Sequence, residues 1–253
     1  MSETIGWLEP QWPAPASVRA GCTLRTGGVS APPFDTLNLG AHVGDAPSAV
    51  AENRRRLREA LRLPAEPAWL EQVHGASVVP LEAGRPRRTL CADAACTRDR
   101  GQVCAVQVAD CLPVLLADRE GSAVAAAHAG WRGLAAGVIE ATVEALALPP
   151  ARLLAWLGPA IGPGHFEVGG EVREAMLAAD PGAGVGFAVN ARGRWQCDLQ
   201  LLARRRLERL GILSICGGGW CVYGDSARFF SYRRTGRCGR MAALIWLEPG
   251  RGG

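Results

Sequence analysis

GQVCAVQVADCLPVLLADREGSAVAAAHAGWRGLAAGVIEATVEALAL, residues 101–148, carries the clearest fold signal in the chain. Val103–Val108 and Leu112–Ala117 are apolar runs of strand length. Asp118 to Gly121 offers a turn, after which Ala123–Ala127 returns antiparallel. Gly130 and Gly133 bracket Trp131 and Arg132 and open a helix through about residue 147. Cys111 then falls at a break between strands, and His128 at a strand end just before a helix N-terminus. Strand ends facing helix N-termini are where open α/β sheets place their ligands.

Upstream, SVRAGCTL (17–24) reads as a strand, and RTGGVSAPPFDTLNLGAHVGD (25–45) is too rich in Gly, Pro and Asn to be regular. Loops of that length in compact domains are often functional. Asp45 or Ser48 is placed to cap a helix over about 47–62, with Val50, Leu57 and Leu61 on one side. WLEQVHGASVVPLE (69–82) reads as two short strands around a bend at His74-Gly75. Downstream come a strand at 152–157, the loop GPAIGPGHFEVGGEV, and a helix at about 171–179. Asp198 caps a helix at about 199–210 that buries Leu199, Leu202, Leu207 and Leu210. Ile212–Ile215 and Ala242–Leu247 read as strands, with ARFFSYRRTGR (227–237) a loop between them. No repeat, linker or composition shift divides the chain. Residues 1–253 read as one α/β domain, without the regularity of a barrel.

With 48% hydrophobic and 21% charged residues, the chain has enough apolar material for a substantial core. It contains no run of about 18 apolar residues, so no membrane span is expected. The N-terminus lacks a basic region followed by an apolar stretch, so a secretion signal is not expected and the cytoplasm is. Nine cysteines, an odd number, read as reduced thiols. All 28 basic residues are Arg, which excludes a P-loop lysine, a Schiff-base lysine and pyridoxal phosphate chemistry. The net charge of +4 is modest and no nucleic-acid motif accompanies it, so nucleic acid is not an expected partner.

Three residues in separate segments point to chemistry: His74 in EQVHG, Cys111 in VADCLPVLLAD and His128 in AAAHAGWRG. Two imidazoles and a thiolate suit zinc, which is catalytic when three protein ligands leave a fourth position open. The chain has only four histidines, and two of them are in this set. Against this stands the plainer reading of a turn histidine and a small buried thiol. Spacing does not show convergence, and no local C-x-x-C signature is present.

Seven motifs in order, RTGGVS (25–30), NLGAHVGD (38–45), EQVHG (71–75), VADCLPVLLAD (108–118), AHAGWRG (127–133), GPAIGP (158–163) and FFSYRRTGR (229–237), resemble the YfiH family, also called the laccase-domain or polyphenol oxidase family. The resemblance covers essentially the whole chain. It implies zinc held by His74, Cys111 and His128, and a layered αββα sandwich with mixed sheets, similar to the catalytic domain of cytotoxic necrotising factor. It implies purine nucleoside chemistry: phosphorolysis of adenosine, inosine, guanosine and methylthioadenosine, and deamination of adenosine. Purine nucleosides and inorganic phosphate would be its small-molecule partners. Cys111 and His128 would then be catalytic through the metal. Asp93 and Asp110 are candidate acid–base groups, or orient a histidine ligand. Arg25 and Arg233 are candidates for phosphate contact and Asn38 for a ribose or base edge.

Two other chemistries compete. Copper-based phenol oxidation is suggested by the family's older name. A multicopper oxidase needs more imidazoles than four, but a single copper could substitute for zinc. A cysteine hydrolase or deamidase would use Cys111 as nucleophile and His128 as base, and a metal-bound thiolate would be unavailable for that. A structural metal in a binding module is the non-catalytic alternative.

Overall fold

The three strands expected around Cys111 form at Val103–Val108, Leu112–Asp118 and Val124–Ala129. In the computed structural model, which describes residues 4–84 and 90–250, they belong to two different sheets. Val103–Val108 closes a four-stranded antiparallel sheet in the order Trp7–Leu8, Val18–Thr23, Met241–Leu247, Val103–Val108. The hairpin 112–129 lies in the middle of a six-stranded sheet. Its order is Ser214–Gly217, Leu153–Leu157, Leu112–Asp118, Val124–Ala129, Ala94–Thr97, Val78–Pro80, with a parallel pair at each edge. The chain therefore crosses from one sheet to the other at residues 109–111, and Cys111 sits on that crossover.

Successive strand residues point to opposite faces, and both faces are covered. In the four-stranded sheet, Val103, Ala105, Ala242, Leu244 and Trp246 pack with Leu57, Leu37 and Leu39. Leu57 belongs to the helix Pro47–Ala60, which forms the outer layer on this side. The intervening Cys104, Val106, Ala243 and Ile245 join Ala125, Leu115 and Ala155 of the six-stranded sheet in the main core. On the far side of the six-stranded sheet, the helix Val138–Leu146 buries Val138, Ile139, Val143 and Leu146. The helix Leu199–Arg209 packs beside it. Helix, sheet, sheet and helix are stacked in that order, the αββα sandwich with mixed sheets that was expected.

Several local expectations differ. The helix expected through residue 147 is two helices, Trp131–Ala136 and Val138–Leu146, because Gly137 adopts a left-handed φ of 89° that ends the first. Neither Asp45 nor Ser48 caps the helix Pro47–Ala60. Its N-cap is Ala46, with Pro47 supplying the preset first-turn φ, while the Asp45 carboxylate accepts from Ser30 Oγ at 2.6 Å and Asn38 Nδ2 at 2.9 Å. The strand expected at 212–215 lies at Ser214–Gly217, where its parallel register with Leu154–Leu157 places it. Asp198 does cap its helix, accepting from Leu201 N at 2.9 Å. The strand Ala94–Thr97 and a small sheet of Glu167–Val168, Trp195–Cys197 and Phe187–Val189 had no clear sequence signal. The single-domain reading of 1–253 also takes in 1–3, 85–89 and 251–253, which lie outside the described residues.

The hairpin that carries the site is closed by Asp118. Its side chain is fully buried and accepts from Ser122 N, Ser122 Oγ, Arg152 Nε and Arg152 Nη2, at 2.6 to 3.1 Å. Burial alone would raise its pKa, but the Arg152 guanidinium and the Ser122 donors hold it well below the usual carboxylate range. Asp118→Ala leaves Ser122 N, Ser122 Oγ and Arg152 Nε without their acceptor, while Arg152 Nη2 keeps Glu120, and about 1–3 kcal/mol of stability should be lost. A depressed folded-state pKa means this contribution is present above the unfolded carboxylate pKa and disappears as pH falls through the folded one. Urea unfolding of wild type and variant should therefore differ at neutral pH and converge in strong acid.

Candidate metal centre and adjoining cavity

His74, Cys111 and His128 converge. Their ligand atoms all lie within 4.8 Å of one another, and the two imidazole rings meet edge to face at 4.9 Å. Each reaches the site from a different element. His74 occupies the turn after the short strand Leu70–Glu71, in a left-handed conformation with φ 61°. Cys111 lies on the sheet-to-sheet crossover. His128 is on the central strand Val124–Ala129, paired across to Pro113.

Asp93 organises both histidines. It is fully buried, and its carboxylate accepts from His74 N at 2.9 Å, Gly75 N at 2.7 Å, Val73 N at 3.3 Å and the His128 ring at Nδ1, 2.9 Å. Three successive backbone N–H groups around one carboxylate form an anion nest, which holds the left-handed turn at His74. The same carboxylate favours the His128 tautomer with the proton on Nδ1, leaving Nε2 free to act as ligand. Asp93 is therefore placed to orient the histidines.

Electrostatically the trio behaves as a preformed thiolate site. Burial raises the Cys111 pKa, but the charge and hydrogen bonds of His128 and His74 outweigh it and bring the thiol down to about 6. Burial lowers the His128 pKa, but the Cys111 thiolate and Asp93 outweigh that and lift it to about 9. Two nitrogens and a thiolate, one imidazole backed by a carboxylate, match the donor chemistry of zinc.

Glycines make the approach possible. A Cβ on Gly130 would lie 2.6 Å from Cys111 Sγ, and one on Gly133 would lie 2.9 Å from Gly75 O and 3.1 Å from His128 O. The two glycines of AHAGWRG let the helix Trp131–Ala136 sit against the ligand-bearing turns. Gly130→Ala should displace the Cys111 side chain while leaving both sheets intact. We expect a folded protein with a near-native unfolding midpoint and clearly less bound metal, read by elemental analysis; undiminished metal would show that the thiolate tolerates the displacement.

The trio opens into a cavity of about 470 Å³, within the range of roughly 300–1,000 Å³ usual for small-molecule sites. Trp131, Ile161, Phe166 and Tyr232 line it, together with Arg132, Arg233 and Arg240. Arg233 lies 5.3 Å over the Phe166 ring and donates to Glu167 O. Asp110 lines the cavity too. It takes a φ of 103°, and accepts from Ser231 Oγ at 2.6 Å and Arg233 N at 2.7 Å. Burial raises its pKa, against those same hydrogen bonds.

Arg25 and Asn38 do not line this cavity. Arg25 is committed to Asp35 and to Ser226 O, with its guanidinium 4.8 Å over Phe230. Asn38 is fully buried, and its amide donates to Gly40 O and Asp45 and accepts from Gly40 N and Arg240 N. Both staple the 25–45 loop, and Asn38 positions Arg240 at the wall. The lining residues His42, Gln72, Gln107 and Arg240 had not been singled out from the sequence. Of these, His42 and Gln72 lie inside NLGAHVGD and EQVHG, the one signal that pointed at them.

The fold and the site define a class: an αββα protein with a His–Cys–His metal-type centre at the end of its two sheets. The family model described as multi-copper polyphenol oxidoreductase laccase matches residues 19–248. The chain belongs to that family, the YfiH family of the sequence resemblance. It is 57% identical over 243 residues to a protein of Pseudomonas aeruginosa named purine nucleoside phosphorylase PA4543, covering 96% of this chain and 98% of that one. It is 55% identical to purine nucleoside phosphorylase YfiH of Escherichia coli, covering 95% and 98%. Among solved structures, Neisseria meningitidis NMB0706 superposes with a TM-score of 0.92 at 46% identity, covering 96% and 100%. YlmD of Geobacillus stearothermophilus superposes at 0.91 and 32% identity, covering 96% and 97%. Among the described residues, no helix is long and apolar enough to cross a membrane.

Proposed function

We propose that the chain is a zinc-dependent purine nucleoside phosphorylase. It acts on adenosine, inosine, guanosine and methylthioadenosine with inorganic phosphate as co-substrate, and also deaminates adenosine. The observation that carries this reading is one cavity joining a His–Cys–His ligand set to arginines and aromatic side chains. The names of the two relatives above point the same way. Residues 1–253 would work as one domain in the cytoplasm.

His74, Cys111 and His128 would hold the metal, which when bound supplies a Lewis acid and a water of near-neutral pKa. Arg233, in the cavity wall, would bind phosphate, since a guanidinium suits bidentate oxyanion contacts. Asp110 fixes Arg233 through its backbone N–H, and Arg240 adds positive charge to the same cavity. Phe166, Trp131 and Tyr232 give a purine apolar and stacking surface. Asp93 keeps the proton at His128 Nδ1. The four histidines fall short of a multicopper centre, and one of them, His165, pairs with Cys221 instead. The lowered thiol of Cys111 beside His128 also suits a cysteine nucleophile. Alkylation of Cys111 that needs a chelator favours the metal; alkylation that does not favours the nucleophile.

The test is chromatography of as-isolated protein of known metal content, incubated with adenosine or inosine, with and without phosphate. His74→Asn serves as control, because Asn tolerates the left-handed turn. Phosphate-dependent release of adenine and hypoxanthine, absent in the variant, is the expected result. Adenosine converted only to inosine would remove phosphorolysis and keep deamination. No turnover by metal-loaded protein would sink the purine reading.

A further inference from the structure

Gln107 lies near the end of the strand Val103–Val108, lines the cavity, and is 6% exposed. Its main chain is fully engaged: Gln107 N donates to Gln72 Oε1 at 2.7 Å, and Gln107 O accepts from Gln72 Nε2 at 2.9 Å. The Gln72 carboxamide is thus consumed in fixing the Gln107 backbone. The Gln107 carboxamide is not consumed at all. Its Oε1 is buried with no hydrogen-bond partner, and its Nε2 donates to no group among the described residues. Buried polar atoms in folded proteins are paired in the large majority, and an exception beside a cavity calls for an external partner. The wall is tight here: a Cβ on Gly40 would come within 3.3 Å of Gln107 Oε1 and 2.7 Å of Arg240 Cγ.

The arginines of this cavity only donate, so none can accept from an amino group. A carboxamide both donates and accepts, and a half-turn of its terminal torsion exchanges the two atoms. Resting on the purine reading above, we propose that Gln107 reads the exocyclic group at position 6 of the base. Its oxygen accepts from the 6-amino group of adenosine, and its nitrogen donates to the 6-oxo group of inosine. One neutral side chain would thereby admit both purine classes.

The experiment measures kcat/KM for free-base release from adenosine, inosine and purine riboside, which has no 6-substituent. It also measures binding of adenine, hypoxanthine and unsubstituted purine by calorimetry. Gln107→Met should lower kcat/KM for adenosine and inosine by roughly tenfold to a hundredfold, and for purine riboside by less than about twofold. Gln107→Glu keeps an acceptor and loses the donor, so its adenosine-to-inosine ratio should rise roughly tenfold or more. A damaged fold lowers all rates and does not raise a ratio. Equal losses on all three nucleosides, or an unchanged ratio in Gln107→Glu, would overturn the assignment. Wild type that turns over none of them would end the phosphorylase reading, and base binding then decides Gln107. A preference for adenine and hypoxanthine over purine that Gln107→Met abolishes sustains the assignment, and no such preference ends it.

Discussion

Cys111→Ser is expected to leave the sandwich folded and to remove the metal. The side chain sits where the chain passes from the four-stranded to the six-stranded sheet, and it is the trio's only sulfur ligand. Serine is nearly isosteric, and its hydroxyl does not ionise near neutral pH. The anionic ligand is therefore lost without a change of shape. Metal affinity should fall by roughly a thousandfold or more, about 4 kcal/mol at about 1.4 kcal/mol per tenfold. Free-base release should fall with it. Elemental analysis and a competition titration with a chromophoric chelator check the first, and chromatography the second. Full metal occupancy in Cys111→Ser would mean that the histidines and other groups hold the ion without the thiolate.

The wild-type centre should also have a defined pH response. With the thiol at about 6 and His128 at about 9, the metal-free site at neutral pH holds a thiolate beside an imidazolium. Metal binding must then displace the proton of His128, and below pH 6 that of Cys111 as well. Ligands bind in their deprotonated forms, so affinity should rise with pH up to about 9 and fall most steeply below about 6. The same chelator competition, run across that range, reads the slope.

Asp93→Ala should have the second large effect, and on two quantities together. The carboxylate accepts from three backbone N–H groups and the His128 ring while fully buried. Removing it leaves those donors unsatisfied at about 1–3 kcal/mol each before relaxation. It also frees the His74 turn from its left-handed conformation. A net loss of about 3–5 kcal/mol is expected, together with roughly a 10- to 100-fold loss of metal affinity from the unanchored His128. Urea unfolding of the metal-free proteins isolates the first effect, and metal titration of folded protein the second. A variant that lost stability but bound metal as wild type does would show that the His128 orientation survives without its carboxylate.

Much of the architecture was legible because local pattern and burial agree. Val103–Val108 and Leu112–Asp118 are apolar runs bounded by turn residues, and both faces of their sheets are covered, so the runs read cleanly. Ala94–Thr97 was not legible: four small residues, all buried, carry neither alternation nor β-branched enrichment beyond one Thr. The break at Gly137 was hidden because glycine inside a helical pattern is tolerated as often as it terminates one. At the site, the ligand trio and Asp93 were named, but Arg25 and Asn38 were placed with the substrate and the structure places them in the loop scaffold. The groups that make a residue useful to a ligand, a guanidinium or a carboxamide in a glycine-rich loop, equally staple such a loop to itself.

The residue order by itself determined most of the long strands and helices, and that two imidazoles and a thiol were available to a metal. Only the tertiary structure decided that these three meet, that Asp93 holds two of them, and that Gln107 rather than Asn38 faces the cavity with an unspent carboxamide. Spacing along a chain constrains neighbours within a turn or a hairpin. Convergence of residues 74, 93, 111 and 128 depends on sheet order and on the crossover between sheets, which long-range packing sets.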